Sequence, residues 1–266
     1  MDASYLNLLQ FHWETKTFIK ADFGNTPMKH NKLSVLCSIG GTFPRMIDYL
    51  SRYKVIVFDL GGTLMEYSGM PLNWSEYYFK GFKTVSENHN LFLSDNEIQI
   101  SSEILKAFNP RYTGRENEIA PEVLFEQAIS HWQNKVDIET VINDFFSGLE
   151  LHPLIYEYSY KTIDDVKQNG CMTAVLTDLP NGMPDELFKR SIPELLSRID
   201  LYVSSQSCGY RKPNARGISY ITDYFGVENT NLLLVGDEEK DHRTAINAGC
   251  DYMFIEDYLK TTFRKT

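Results

Sequence analysis

Cysteine is scarce in this chain of 266 residues: Cys37, Cys171, Cys208 and Cys250 lie far apart and form no C-x-x-C pair. That spacing suggests neither a zinc ribbon nor a disulfide framework, so the four read as reduced and mostly buried. Cys171 and Cys250 fall at the starts of predicted strands, where a small apolar side chain suits a core. Basic residues are also in deficit, 26 Lys and Arg against 36 Asp and Glu, for a formal net charge of -10. Nucleic acid and anionic membrane surfaces are polyanions, so neither is an expected partner. No run approaches the roughly eighteen apolar residues of a membrane span, and the N-terminus has no basic patch followed by an apolar stretch. The expectation is a soluble cytoplasmic protein. The six histidines are scattered and receive no role.

What is present is enough apolar material, 42% of residues, for one large domain or a core domain with an insertion. Short β-branched runs recur at VIVF (55–58), TAVLT (173–177), LYVSS (201–205) and LLLVG (232–236), with a weaker YMFI at 252–255. Helical patterns separate the later ones: Ile155 to Asn169, Pro213 to Phe225, and Lys240 to Ala248 ending at Gly249. Strands alternating with helices of this length predict an α/β fold, a Rossmann-like parallel sheet with helices on both faces. Ligands bind beyond the carboxyl ends of such strands, where Asp59, Thr177 and Asp237 fall.

The interval 71–153 breaks the alternation. Amphipathic patterns over Asn73 to Asn90, Ser94 to Phe108, Pro121 to Asn134 and Ile138 to Leu149 predict an inserted helical unit, and a mobile cap over the sheet end is its natural use. The core is then 53–70 with 154–266, preceded by an extension, 1–52. In that extension Tyr5 to Trp13 has a helical pattern, Arg45 to Tyr53 suits a short helix, and IGGTF at 39–43 echoes LGGTL at 60–64 without the aspartate.

Four segments carry the chemistry: FDLGGTL at 58–64, LTD at 176–178, GYRKPNARG at 209–217 and VGDEEKDHRTAINAG at 235–249. In order and spacing they resemble the four motifs of the haloacid dehalogenase-like hydrolase superfamily, over about residues 54–256. The helical insertion resembles the family's C1-type cap. A strand-end carboxylate can attack phosphorus and form an aspartyl phosphate, splitting hydrolysis into two displacements. Asp59 takes that role; its plainer reading is a turn aspartate capping the glycine loop. Transfer needs donors and cations on the phosphoryl oxygens, which the Thr177 hydroxyl and the Lys212 ammonium would supply.

Asp237 and Asp241 follow the fourth long strand as GDEEKD. A hard divalent ion prefers such oxygen ligands, and carboxylates clustered opposite Asp59 would repel without one. The resemblance implies Mg2+ held directly by Asp59, Asp237 and the main-chain carbonyl of Gly61, with Asp241 direct or one layer behind. Glu238 and Glu239 read as acids favouring a helix N-terminus.

Most phosphatases of the superfamily place a second aspartate two residues after the nucleophile, as general acid and then base. Here that residue is Gly61. Such groups contribute about 10²- to 10⁴-fold in rate. Alkyl phosphates should therefore react poorly, whereas acyl and aryl phosphates leave with little help. The Gly61-Gly62 pair would let the backbone adopt positive φ near the phosphate. Glu66, Glu76 and Asp178 are the candidate substitute acids. Neither the dehalogenase branch, with a tyrosine at position 61, nor the phosphonate branch, with a cap lysine for which Lys80, Lys83 and Lys106 stand available, fits well.

In the insertion, Trp74, Tyr77, Tyr78 and Phe79 read as core, and Arg111 and Arg115 flank a Tyr-Thr-Gly turn, where they could grip an anionic substrate group or, as the plainer reading, belong to a solvated turn. Gly61, Gly62, Asp178, Arg111 and Arg115 complete the substrate-binding candidates. The leading expectation is a slow, magnesium-dependent phosphohydrolase acting on a small phosphorylated metabolite through phospho-Asp59. The competing one is a catalytically weakened module that binds a phosphate ligand, or a protein partner through the N-terminal extension.

Overall fold

Each long β-branched run becomes a strand of one sheet in the structure, a computed structural model that describes residues 50–134 and 136–263. The strands are β1 (Val55–Phe58), β4 (Met172–Thr177), β5 (Leu201–Ser204), β6 (Leu232–Gly236) and β7 (Asp251–Phe254). They pair in parallel in the order β5-β4-β1-β6-β7. β1 is flanked on both sides, Phe58 opposite Val175 of β4 and Val235 of β6.

Alternation along the central strands divides their side chains between two cores. Val55, Val57, Leu176, Leu232 and Leu234 pack on one face with Ile218 and Ile221. Ile56, Phe58, Val175, Leu233 and Val235 pack on the other. Near-continuous apolar runs are what a parallel sheet covered on both faces requires.

The covering helices are α6 (Ser159–Gln168), α7 (Asp185–Ser191), α8 (Pro193–Leu196), α9 (Ser205–Cys208), α10 (Arg216–Phe225), α11 (Glu239–Ala248) and α12 (Ile255–Phe263). α11 ends at Gly249, whose φ of 72° is the left-handed conformation expected of a helix-terminating glycine. The helix expected from Ile155 starts only at Ser159, because β3 (Pro153–Ile155) pairs antiparallel with β2 (Met65–Tyr67). That pairing replaces local helical preference with ladder hydrogen bonds. The short helices α7 to α9 carried too little periodicity to be anticipated.

Between β2 and β3 the chain forms a 3-10 turn (Trp74–Tyr77), α1 (Tyr78–Asn88), α2 (Asp95–Ala107), α3 (Pro110–Thr113), α4 (Pro121–Ala128) and α5 (Ile138–Gly148). Ser94 and Glu97 form a reciprocal capping box at the start of α2. α4 stops at Ala128, short of the expected Asn134. α1 and α5 approach closely: a Cβ on Gly81 would lie 2.5 Å from the Phe145 ring. The insertion's aromatic centre, Phe82, Phe125 and Phe145, is fully buried and continuous with the core on one sheet face. Tyr5 to Trp13, the IGGTF echo and most of Arg45 to Tyr53 lie outside the described residues, as does Cys37. Cys171 is buried and Cys208 and Cys250 half-buried, all as free thiols.

Phe145 meets the rings of Phe82 and Phe125 at centroid separations of 4.8 and 4.9 Å. Truncation to alanine leaves a cavity that helix-bound neighbours cannot fill, so Phe145→Ala should destabilise the protein by about 3–5 kcal/mol in urea unfolding. An effect under about 1 kcal/mol would mean that the insertion contributes little to the cooperative unit.

Candidate active site

Asp59 directly follows β1 at the middle of the sheet, where its backbone N–H donates to the Val235 carbonyl at 2.9 Å. It is buried, as is Asp241, and the half-buried Asp237 completes a trio whose carboxylate oxygens lie within 4.8 Å of one another. Lys212 reaches into this trio from the loop after α9. Its Nζ is 2.7 Å from Asp59 Oδ1 and 2.5 Å from Asp241 Oδ1. The other Asp241 oxygen accepts the Glu238 N–H at 3.0 Å. Asp237 Oδ1 accepts the Thr63 hydroxyl at 3.0 Å.

One lysine does not neutralise three carboxylates. Burial, opposed by Lys212 and reinforced by Asp241, raises Asp59 to about 7. Asp237 also lies above the ordinary range, through burial first and then the nearby Asp241 charge, although the Thr63 bond works the other way. Burial opposes the Lys212 charge, but Asp241, Asp59 and Asp178 outweigh it and hold the ammonium well above its usual value. The surplus of hard anionic oxygen, partly shielded from water, is a donor set that suits a divalent cation.

Asp59 and Thr177 line a cavity of about 660 Å³ with Gly61, Gly62, Asp178, Arg111, Arg115 and Lys212. The Thr177 side chain, 3% exposed, makes no hydrogen bond to another described residue, which leaves its hydroxyl available. Gly62 has φ of 83°, and a Cβ there would sit 2.1 Å from Asp237 Oδ2, so only glycine permits this approach of loop to carboxylate. Gly61 differs from the expectation for the pair: its φ is not positive, and a Cβ on it would meet nothing within 4 Å. The turn's backbone hydrogen bonds end on Leu60 and Met65, not on the Gly61 carbonyl.

The two insertion arginines have separate fates. Arg111 lines the cavity and pairs with Glu238 at 3.2 Å. Arg115 is neither solvated nor free for substrate: its guanidinium donates to the carbonyls of Phe108 and Asn117, to Glu118 and to Asn181. Asp178 accepts the Lys212 N–H and faces the Lys240 Nζ at 3.5 Å. Burial disfavours its charge, yet Lys240, Arg211 and Lys212 prevail and keep the carboxyl below its usual range, which makes it a poor proton donor. Of the other substitute acids, Glu66 lines the cavity and accepts the Tyr156 hydroxyl at 2.9 Å, whereas Glu76 is not among the lining residues. Lys80, Lys83 and Lys106 are not lining residues either; they pair with Glu150, Glu87 and Glu103.

The structure adds residues that the motifs did not single out. Lys240, inside GDEEKD, lines the cavity and joins Asp178 to Glu238. Arg211, beside Lys212, pairs with Glu118 of the insertion and donates to the Leu179 carbonyl at 2.6 Å. Around that pair, Glu118 N–H donates to Gly209 and Arg211 N–H to Glu116, at 3.0 and 2.7 Å, in an antiparallel bridge. Two backbone hydrogen bonds and an ion pair thus join the insertion to the loop that carries Lys212.

Sheet and site define an α/β protein whose carboxylate and ammonium groups converge at the carboxyl ends of parallel strands. The haloacid dehalogenase-like hydrolase description matches residues 56–255, and the chain belongs to that family. Two phosphoglycolate phosphatases are similar over part of their length. The one from Vibrio vulnificus (strain CMCP6) is 29% identical over 113 residues, 41% of this chain and 48% of its own. The one from Aliivibrio fischeri is 27% identical over 90 residues, 34% of this chain and 38% of its own. The chain therefore spans at most about half the length of these relatives. Among solved structures, a HAD phosphatase from Thermococcus onnurineus superposes with a TM-score of 0.49 at 16% identity, covering 76% of this chain and 85% of that one. A predicted phosphoglycolate phosphatase from Haemophilus somnus gives 0.47 at 18%, covering 76% and 84%. No helix among the described residues is long and apolar enough to cross a membrane.

A folded-state value near 7 against an unfolded 3.8 means that the native protein binds the extra Asp59 proton between those limits. Its contribution to stability is present at low pH and is lost as pH rises through about 7. Without divalent cation, Asp59→Asn should stabilise the protein against urea unfolding at pH 8 by on the order of 1–4 kcal/mol, and by progressively less toward pH 4. Equal shifts at pH 4 and pH 8 would contradict the electrostatic origin.

Proposed function

We propose that this protein is a magnesium-dependent phosphohydrolase that acts through phospho-Asp59 on a small phosphorylated molecule. The observation that carries the reading is the buried Asp59, at a central strand end, paired with Lys212 at 2.7 Å beside two further carboxylates. The family and the phosphatase names of its relatives support hydrolysis of a phosphate ester.

Asp59 and Asp237, with the Gly61 carbonyl, would hold the cation, which supplies charge neutralisation for the phosphoryl group. Asp241, with one oxygen on Lys212 and the other on the Glu238 N–H, is better suited to stand behind it. Lys212 and the Thr177 hydroxyl would bind phosphoryl oxygens, and Lys240 and Arg111 would add positive charge along the cavity. One Asp59 carboxylate oxygen attacks phosphorus as the ester oxygen departs with the bonding pair. Water then attacks the phospho-aspartate and releases phosphate.

Both steps proceed without a carboxyl at position 61. The relatives' names point to an alkyl phosphate, phosphoglycolate, whose leaving alkoxide most needs that proton. This chain should be slow on it. Of the candidate substitute acids, Glu66 and Asp178 line the cavity, and both are engaged as acceptors, Glu66 from the Tyr156 hydroxyl and Asp178 from the Lys212 N–H.

Turnover of p-nitrophenyl phosphate or acetyl phosphate should require magnesium and fall at least about 10³-fold in Asp59→Asn, measured by phosphate release. Gly61→Asp, for which the backbone leaves open space, should raise alkyl phosphate turnover by about 10²-fold. Wild-type protein inactive on every ester tested, yet stabilised by phosphate, would replace the enzyme with a phosphate-binding module.

A further inference from the structure

Beyond its charged groups, the cavity has an apolar wall. Tyr67 at the end of β2, Met70, Trp74 and Phe188 of α7 line it together with Leu179 and the exposed Leu72. The three rings are held in one cluster: Tyr67 meets Trp74 edge-on at 5.2 Å and Phe188 at 6.5 Å. The Tyr67 hydroxyl is tied to Ser191 Oγ at 3.1 Å, so its polar tip is already engaged. Trp74 and Met70 remain half-buried, with surface still to cover. A two-carbon leaving group would leave most of about 660 Å³ empty, whereas pockets of this size bury larger ligands.

The second observation is independent of that wall. Gly61 contributes no carboxyl, its neighbourhood is open, Asp178 is held as a carboxylate, and the Glu66 carboxyl is engaged as acceptor of the Tyr156 hydroxyl. An unassisted leaving oxygen must be weakly basic. A phenoxide, whose conjugate acid has a pKa of about 10, is some six units less basic than hydroxide, whose conjugate acid, water, lies at about 15.7.

We infer that the substrates of this site are phosphate monoesters of aromatic hydroxyls, with the ring seated on the Tyr67, Trp74 and Phe188 wall. The inference rests on the phosphohydrolase reading for its turnover and on the cavity alone for its binding preference. The P–O(aryl) bond breaks as the Asp59 oxygen bonds to phosphorus, and the aryloxide leaves with the electron pair and takes its proton from solvent. Trp74 acts on binding of the organic group, not on the phosphoryl transfer.

The test uses the full chain with magnesium and two measurements. Phosphate release is followed for 2-naphthyl phosphate, a series of substituted phenyl phosphates, acetyl phosphate and glycerol phosphate. Calorimetry compares two non-hydrolysed probes, 2-naphthylphosphonate and methylphosphonate. We expect kcat/KM to favour naphthyl over glycerol phosphate by at least about 10²-fold and to rise steeply as phenol basicity falls. The naphthyl probe should bind at least about tenfold tighter than the methyl one, a difference that Trp74→Ala removes and Trp74→Phe retains. In Trp74→Ala, KM for naphthyl phosphate should rise by about tenfold and that for acetyl phosphate by less than twofold. Equal binding of the two probes, or a Trp74→Ala effect shared by all esters, overturns the inference. Tight, Trp74-dependent binding of the naphthyl probe without any turnover overturns the hydrolase reading and leaves an aryl-phosphonate-binding site.

Discussion

A single buried ammonium set among three carboxylates governs this structure. Lys212 is shared between Asp59 and Asp241, and the charge left over raises Asp59 and Asp237 above the ordinary carboxyl range. A site arranged this way is costly for the protein by itself, a cost that a bound cation would relieve. The surroundings are also sterically constrained: Gly62 and Gly236 have no room for a Cβ beside Asp237 and Asp241. The closeness of these two carboxylates to the backbone, not their charge, requires glycine at the border of the site.

The sheet makes that convergence unavoidable. β1 lies between β4 and β6, so Asp59, Thr177 and Asp237 emerge side by side from three adjacent strands although more than a hundred residues separate the first two. Lys212 arrives from the loop after α9, anchored by its own N–H on Asp178. Parallel order, not proximity in the chain, assembles the group.

Much of this was legible beforehand because it rests on local pattern. Asp59 and Asp237 sit directly after apolar runs that can only be central strands, and the helices α2 and α11 announce their ends through Ser94 and Gly249. The rest depends on contacts that no local pattern encodes. Pro153–Ile155 reads as the beginning of a helix until Met65–Tyr67 is available to pair with it. Arg115 looks like a free cation in a polar turn, yet Asn181, distant in the chain, joins the neighbouring Glu118 in holding it. Gly61 and Gly62 look alike as a pair of letters, and only the position of Asp237 shows that the second is compelled and the first is not.

The bridge between Glu116–Glu118 and Gly209–Arg211 has a consequence for how such molecules are recombined. A helical module grafted at the β2 and β3 junctions that brought no acid at the Glu118 position would leave Arg211 buried without its carboxylate. Successful chimaeras must exchange both stretches as one unit, so over evolutionary time the two are expected to change together.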